Sequence, residues 1–181
     1  MKICISGAHS TGKTTIVNAL KQHPLFLDYT FKTGLTRDLK AAGLNINEAG
    51  DDVTQLFVMS KHYEYSKIKG NVVLDRCALD GFAYSSVILK DYEDRSFLDA
   101  LGVIGRKCFS SYDYIFYVRP ELPLVDDGVR TVDPAFFDLV KDSFNYWLNT
   151  IKLYKEPVKV VEIYGSVEQR INQIITTLNL C

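Results

Sequence analysis

Near its beginning the chain carries the stretch Gly7-Ala8-His9-Ser10-Thr11-Gly12-Lys13-Thr14. It fits the pattern G-x-x-x-x-G-K-[ST] at every specified position, and that pattern is typical of a phosphate-binding loop. In such a loop, backbone N–H groups point inward at a polyphosphate, and the positive end of the next helix dipole adds to their attraction. A chance match in a chain of this length is expected on the order of once in a hundred. The stretch therefore predicts nucleotide binding.

The residues on both sides of the loop support this prediction. Residues 2–6 form a short apolar run of strand type, and residues 15–20 continue as an amphipathic helix. We expect the two glycines to supply backbone torsions and a close approach that a Cβ would block. Lys13, in a loop that we expect to be exposed, would reach the β- and γ-phosphates, and Thr14 would place its hydroxyl on Mg²⁺.

Strand-like and helix-like segments alternate along the rest of the chain. Strands are predicted at residues 2–6, 71–75, 113–118 and 158–163, and helices at about 15–23, 36–42, 51–69, 79–89, 94–107, 134–154 and from 166 onward. This alternation is typical of an α/β domain with a mainly parallel sheet, in which ligands bind beyond the carboxyl ends of the strands. The length of 181 residues predicts a single domain over residues 1–181.

A carboxylate and a guanidinium stand together at one of these strand ends, as Asp75 and Arg76. The carboxylate can hold Mg²⁺ or accept a proton from an attacking hydroxyl. The arginine can stabilise charge on a transferring phosphoryl group or clamp the acceptor. A solvated ion pair after a strand explains the two residues when they are taken alone. With a phosphate loop upstream, we favour the catalytic role.

A third cluster is Asp-Asp-Gly-Val-Arg at residues 126–130, in a loop bracketed by three prolines. Such a loop suits a lid, at about residues 120–133, that closes over phosphates and excludes water. Arg130 would then act on the phosphates. The pattern alone fits an acidic surface turn equally well, because Asp-Gly is a common turn pair.

Two further polar residues are candidates for contacts to a phosphate acceptor. Gln55 lies on a predicted helix, where it shares a face with Met59 and His62. Its amide offers a donor and an acceptor together, which suits the edge of a nucleobase. Arg37 could bind a phosphate of the acceptor. Gln55 as a boundary residue and Arg37 as a surface charge are equally good explanations, and His62 is more easily explained as structural.

Composition and charge narrow the class of protein. Hydrophobic residues make up 47% of the chain and the net charge is −1, so tight nonspecific binding to nucleic acid is not favoured, although a local basic groove stays open. No apolar run approaches membrane-spanning length, and the first residues lack the architecture of a signal peptide. The four cysteines lack zinc-site spacing and fit free thiols in a reducing compartment. We therefore expect a cytoplasmic protein.

Taken in order, these clusters resemble the AAA-type P-loop kinase family, which includes the ribosylnicotinamide kinase domain and many phage-encoded relatives. The matching positions are the phosphate loop with Thr15, then Thr36-Arg37, Thr54-Gln55, Leu74-Asp75-Arg76 and residues 126–130. The resemblance implies a nucleoside/nucleotide-kinase-like P-loop fold, with five strands in the order 2-3-1-4-5 and flanking helices. It also implies an ATP- and Mg²⁺-dependent phosphotransferase of nucleotide metabolism, whose acceptor is a nucleoside, a nucleoside monophosphate or a related small molecule.

Together, the motifs and the resemblance assign a role to each candidate residue. The expected nucleotide contacts are Gly7, Ser10, Thr11, Gly12, Lys13, Thr14 and Thr15. The resemblance implies that Gly165 and Ser166 also contact the nucleotide, beside adenine. The catalytic residues are Lys13, Asp75, Arg76 and Arg130; the acceptor contacts are Arg37, Gln55, Asp75 and Arg76; the Mg²⁺ ligands are Thr14 and Asp75. Many relatives have serine at the position of Cys77 and a glutamate before the Thr-Arg pair, which is absent from residues 32–35. These departures leave the acceptor open.

Two other functions also stay open at this stage. The first is a kinase that acts on a hydroxymethylated base within phage DNA, which the near-neutral charge disfavours. The second is a GTP-dependent switch, which would need a guanine-reading Asn-Lys-x-Asp motif that the sequence lacks. The Asp-x-x-Gly stretch of such a switch occurs here only at residues 99–102, inside a predicted helix. The sequence does not predict an oligomeric state.

Overall fold

The computed structural model describes residues 1–124, 132–154 and 156–180, and strands alternate with helices along them. The strands are β1 (Lys2–Ser6), β2 (Thr30–Lys32), β3 (Val72–Asp75), β4 (Tyr114–Val118) and β5 (Lys159–Ile163). The α-helices are α1 (Lys13–Gln22), α2 (Leu35–Ala41), α3 (Asp52–Ser66), α4 (Ala78–Ile88), α5 (Arg95–Phe109), α6 (Pro134–Leu153) and α7 (Val167–Leu178).

The five strands form one parallel sheet in the order β2-β3-β1-β4-β5. The predicted fold class and strand order are therefore confirmed. In the centre of the sheet, β1 lies between β3 and β4, and all five of its residues are buried. Ile5 of β1 pairs with Asp75 of β3. This register brings the segment that follows β1 next to the segment that follows β3.

Two apolar cores cover the two faces of the sheet, because successive strand residues point to opposite sides. On one face, Ile3 and Ile5 belong to a core with residues of α1 and α7. On the other face, Cys4 belongs to a core with residues of α3, α4, α5 and α6. The sheet is therefore the middle of three layers, and its carboxyl edge is left for the loops that carry the candidate residues.

Side-chain caps begin several helices where the sequence predicts them. The carboxylate of Asp133 accepts the N–H of Ala135 at the start of α6. Ser166 and Gln169 form a reciprocal capping box at the start of α7. The sequence placed no strand at β2, whose three residues are too few to show a periodic pattern. Of the predicted lid at about 120–133, residues 125–131 lie outside the described part of the chain, and with them the Asp-Asp-Gly-Val-Arg cluster and Arg130.

Within the described residues, no helix has the combination of length and apolar character that a membrane crossing requires.

Candidate active site

The phosphate loop bends sharply between β1 and α1, and its glycines are needed there. Gly7 has a φ of +144°, and a Cβ on it would lie 2.8 Å from the carbonyl oxygen of Val118 in β4. Gly12 has a φ of +85° and is the residue that precedes the first turn of α1. Any other residue at these two positions would strain the backbone or displace β4. The loop therefore keeps its shape against the neighbouring strand.

Lys13 is buried, with 3% of its surface exposed. Its ammonium group turns back into the loop, where it donates hydrogen bonds to the carbonyl of Ala8 and to Thr11 Oγ1, the latter at 3.2 Å. The expectation that Lys13 lies in an exposed loop was therefore wrong: the loop folds around its own lysine. The physical reason is that a buried ammonium needs oxygen partners, and the loop supplies them.

Thr14 and Asp75 meet across the junction of β1 and β3. The hydroxyl of Thr14 donates to Asp75 Oδ2 over 3.2 Å. The pairing of Ile5 with Asp75 brings the two segments next to each other. Mg²⁺ prefers such oxygen ligands, and it usually takes one or two from the protein and the rest from phosphates and water. No group of three or more His, Cys, Asp or Glu side chains that could form a cage around a metal occurs in the described ranges. The donor set thus suits a phosphate-bound Mg²⁺ rather than a metal held by protein alone.

The loop also contains an unsatisfied polar group. The hydroxyl oxygen of Ser10 is buried and finds no hydrogen-bond partner among the described residues. Ser10 itself has a φ of +59°, a left-handed conformation that is uncommon outside glycine. A bound phosphate oxygen would satisfy such a hydroxyl, so this geometry fits a nucleotide.

Arg76 is held by groups on α4. Its Nη1 lies 3.2 Å from Asp80 Oδ1, and its guanidinium lies over the ring of Tyr84, 5.3 Å from the centroid. Burial disfavours the charged form, but Tyr84, Asp80 and Asp75 outweigh that effect and raise the pKa of Arg76 above its ordinary value. Arg76 is therefore a fixed positive charge beside Asp75.

Two adjoining cavities extend from this pair. The first joins Thr14 to Arg37, Asp75 and Arg76. The second is lined by Gln55, Arg76 and apolar side chains of α2, α3 and α4, which include Leu35, Leu39, Val58 and Ile88. The structure thus brings together Thr14, Arg37, Gln55, Asp75 and Arg76, which the sequence placed on four separate segments.

The polar end of the second cavity is buried. Gln55 is 3% exposed, and its Oε1 accepts a hydrogen bond of 3.0 Å from the hydroxyl of Ser85. His62 lies on the same helix and also lines the cavity. Burial, and then the charge of Arg76, lower the pKa of His62 to about 3. The imidazole is therefore neutral at physiological pH, and it cannot bind a phosphate through charge.

The loop that follows β5 is tied to the phosphate loop from the other side. The N–H of Gly165 donates to Glu121 Oε2 at 2.8 Å, and the same oxygen accepts from Arg170 Nη2 at 3.0 Å. Arg170 Nη1 in turn donates to the carbonyl of Thr11 at 2.8 Å. Gly165 is therefore connected to the phosphate loop through Glu121 and Arg170.

Comparison with known proteins gives the family. A family model described as an AAA domain matches residues 2–170, which is most of the chain. The chain belongs to this AAA-domain family. The resemblance to P-loop kinases is confirmed. A search of curated proteins finds no match.

Solved structures similar in fold to this AAA-domain protein include nucleoside and nucleotide kinases. Deoxyadenosine kinase from M. mycoides with bound dCTP is similar with a TM-score of 0.66 and 19% identity, over 100% of both chains. Thymidylate kinase from Candida albicans is similar with a TM-score of 0.63 and 20% identity, over 98% of this chain and 92% of its own. NadR protein in complex with NR is similar with a TM-score of 0.69 and 20% identity, over 97% of this chain but 50% of its own.

Two residues of this AAA-domain protein that contact the candidate site were missed from the sequence. Asp80 carries a signal that could have been used, because it lies three residues after Cys77, which precedes α4, and such a residue often caps a helix. Arg170 carries none: it is one charged residue among several on an amphipathic helix, and only the fold shows that it is buried against Thr11.

Proposed function

We propose that this protein is a kinase that transfers the γ-phosphoryl group of ATP to a nucleoside, a nucleoside monophosphate or a related small molecule. The observation that carries this proposal is a cleft of two adjoining cavities, which share Arg76 and extend from Thr14 of the phosphate loop past Asp75 to Gln55. One end suits a polyphosphate and the other suits a nucleobase, and the pair that separates them suits phosphoryl transfer. The kinases of similar fold support the same class of reaction.

Each residue of the cleft has a task in such a transfer. Lys13 and the N–H groups of the loop would bind the β- and γ-phosphates, while Thr14 and Asp75 would hold Mg²⁺. When bound, Mg²⁺ neutralises charge on the phosphates. Arg76 would stabilise the transferring group, and Arg37 would hold the acceptor on the open side. Asp75 could also accept the acceptor's proton, and its position beside Thr14 favours the metal role.

A free small molecule suits the acceptor cavity better than a base within DNA. Gln55 is 3% exposed, so a base that pairs with it must leave solvent and enter the cavity. A base in a duplex would first have to be flipped out of its stack. The net charge of −1 also gives no general attraction to a polyphosphate backbone.

A transfer assay with γ-labelled ATP tests this proposal. The acceptors are nucleosides, nucleoside monophosphates, nicotinamide riboside, and DNA with hydroxymethylated bases. We expect label on a small molecule, dependence on Mg²⁺, and a loss of transfer in a Lys13→Met variant assayed in parallel. Label on the DNA alone would show that DNA is the acceptor and would contradict the small-molecule acceptor that we propose. Hydrolysis of ATP without transfer to any acceptor would contradict the kinase function.

A further inference from the structure

One buried carboxylate joins the two halves of the cleft. Asp80, in the first turn of α4, is 2% exposed. Its Oδ2 accepts from the hydroxyl of Ser6 at 2.7 Å and from the N–H of Cys77 at 3.0 Å. Its Oδ1 accepts from Arg76 Nη1 at 3.2 Å and, more weakly, from the N–H of Gly7 at 3.4 Å. Each oxygen therefore bonds one group beside the phosphate loop and one group in the segment that follows β3.

Helix capping explains only one of these contacts. A cap at the start of α4 needs the N–H of Cys77 and no more. Ser6 ends β1 and Gly7 begins the phosphate loop, so neither belongs to α4 or to its cap. Arg76 belongs to the predicted catalytic pair. Asp80 thus links a nucleotide-binding segment to a catalytic one through a single rigid group.

The backbone of Arg76 has an unfavourable conformation, which the link through Asp80 helps to hold. Its φ of +79° lies in the left-handed region, which is uncommon for residues other than glycine. Such conformations persist where surrounding contacts over-determine them, and they are frequent at active sites. Here the N–H of Arg76 donates to the carbonyl of Ile5 at 3.0 Å, and its side chain bonds Asp80. Both contacts fix Arg76 relative to β1 and its loop.

Asp80 is poorly suited to act on a substrate directly, although it borders the acceptor cavity. A carboxylate has about four acceptor positions. The four donors around Asp80 occupy them, and the positive charge of Arg76 lies against it. It therefore has no position left for the proton of an acceptor hydroxyl, unlike Asp75.

We propose that Asp80 is a positioning residue, which fixes the guanidinium of Arg76 relative to the phosphate loop and so sets the alignment of the transferring phosphate with the acceptor. This inference rests on the proposed kinase function and adds to it. Misplacement of a catalytic group by about 1 Å can cost about 10²-fold in rate. Asp80 therefore acts on turnover through Arg76, not on the binding of either substrate.

The test is a double-mutant cycle of Asp80→Asn and Arg76→Gln, in which the steady-state kinetics of transfer from labelled ATP are measured for each variant. Asp80→Asn keeps the shape of the side chain but removes its charge and one acceptor oxygen. We expect it to lower kcat by about 10²-fold, with KM for ATP and for the acceptor within about threefold of wild type. When Arg76→Gln is already present, adding Asp80→Asn should lower kcat by less than about threefold, because the group that Asp80 positions is already gone.

A matched control separates positioning from loss of a helix cap. Asp94 caps α5 by accepting the N–H of Phe97 at 3.1 Å, and it bonds Ser96 beside it. Asp94→Asn should leave kcat unchanged at a temperature where the protein is folded. Equal losses of kcat in Asp94→Asn and Asp80→Asn would show that Asp80 matters only for stability and would overturn the proposal. The proposal would also be overturned if the kcat losses of the two single variants multiply in the double variant.

If Asp80→Asn does not fold, as judged by thermal melting, Ser6→Ala tests the same link from the other side. It removes the donor at 2.7 Å and leaves every charge in place. We expect a drop of several-fold in kcat that again disappears in the Arg76→Gln background; an unchanged kcat would contradict the proposal. A wild-type protein that transfers no phosphate would overturn the kinase function itself. An active wild type with a multiplicative cycle would overturn only the role of Asp80.

Discussion

At the scale of single residues, buried charge is concentrated around the phosphate loop. Lys13, Asp80 and Arg170 are each at most 3% exposed, and each bonds an atom of the loop or of the residue before it. Burying a charge is costly unless it is paired and hydrogen-bonded, and apolar residues often stabilise a fold equally well. Stability alone therefore does not account for three such residues in one place, whereas a site for a polyphosphate does.

Lys13→Met should abolish phosphoryl transfer while the protein stays folded. Methionine keeps an apolar stem of similar length in a buried position but removes the charge for the β- and γ-phosphates. Melting curves with and without ATP and Mg²⁺ check folding and nucleotide binding separately from activity. Lys21→Met, at an exposed position of α1, is the control. Near-normal turnover in Lys13→Met would contradict the proposed kinase function.

Asp75→Asn should lower kcat far more than it weakens ATP binding. The amide keeps the contact to Thr14 possible but loses the charge that Mg²⁺ or an acceptor proton needs. Loss of a positioned acid or base typically costs about 10²–10⁴-fold in rate. Titration of kcat with Mg²⁺ separates the two roles, because a lost metal ligand is partly compensated by more metal and a lost base is not. If kcat of Asp75→Asn stays within about threefold of wild type, the role of Asp75 is structural and not catalytic.

At the scale of elements, the sequence predicted what local chemistry determines. The glycine loop, the caps at Asp133 and Ser166, and the strong helical patterns are all found in the structure. The strand β2 was not placed, because three residues carry no periodicity and its pairing with β3 supplies its stability. Arg170 could not be assigned to the site for a related reason: its partner Thr11 lies 159 residues away, and no local pattern encodes such a contact.

Gln55→Leu, on α3, should raise KM for the acceptor or change which base is preferred, with KM for ATP nearly unchanged. The cavity that Gln55 lines reaches Arg76, whereas we expect the ATP phosphates to bind at the loop after β1. Leucine would leave polar groups of the base unpaired, at a cost of about 1–3 kcal/mol. The measurement is steady-state kinetics with each substrate varied in turn.

Two further variants refine the test of Gln55. Because Gln55 accepts from Ser85, the leucine also leaves that hydroxyl without its partner, and Ser85→Ala measures this part alone. Gln22→Leu, at an exposed position of α1, controls for added apolar surface. An effect of Gln55→Leu on ATP alone would show that the residue does not contact the acceptor.

At the scale of the whole molecule, the last helix, α7, is hydrogen-bonded to the phosphate loop that follows β1. Arg170 of α7 bonds Thr11 in the phosphate loop and Glu121 after β4, and Glu121 bonds Gly165 after β5. These contacts connect three loops at the carboxyl edge of the sheet, where β1, β4 and β5 lie side by side. Glu121 lies in the first part of the predicted lid, at about residues 120–133, and Arg170 connects it to the phosphate loop. A nucleotide bound there would contact parts of the chain that are far apart in sequence.

The ion pair of Glu121 gives this connection a pH dependence. The N–H of Gly165, and then Arg170, lower the pKa of Glu121 below its ordinary value of 4.5. Since the folded-state pKa is the lower one, the ionised carboxylate stabilises the folded protein above about pH 4.5, and this stabilisation is lost as pH falls through the folded-state value. The Glu121→Gln variant has no ionisable group at this position. Its melting temperature should therefore lie below that of wild type by a constant amount from neutral pH down to about pH 5, and this gap should shrink at lower pH.

Thermal melts over a pH series measure this gap in melting temperature, with Glu93→Gln in the segment between α4 and α5 as the control. High salt should reduce the gap only in part, because Arg170 is buried while Glu121 is partly exposed. A gap that does not change with pH, or no gap at all, would mean that the charge of Glu121 does not stabilise the folded protein, and it would contradict this prediction.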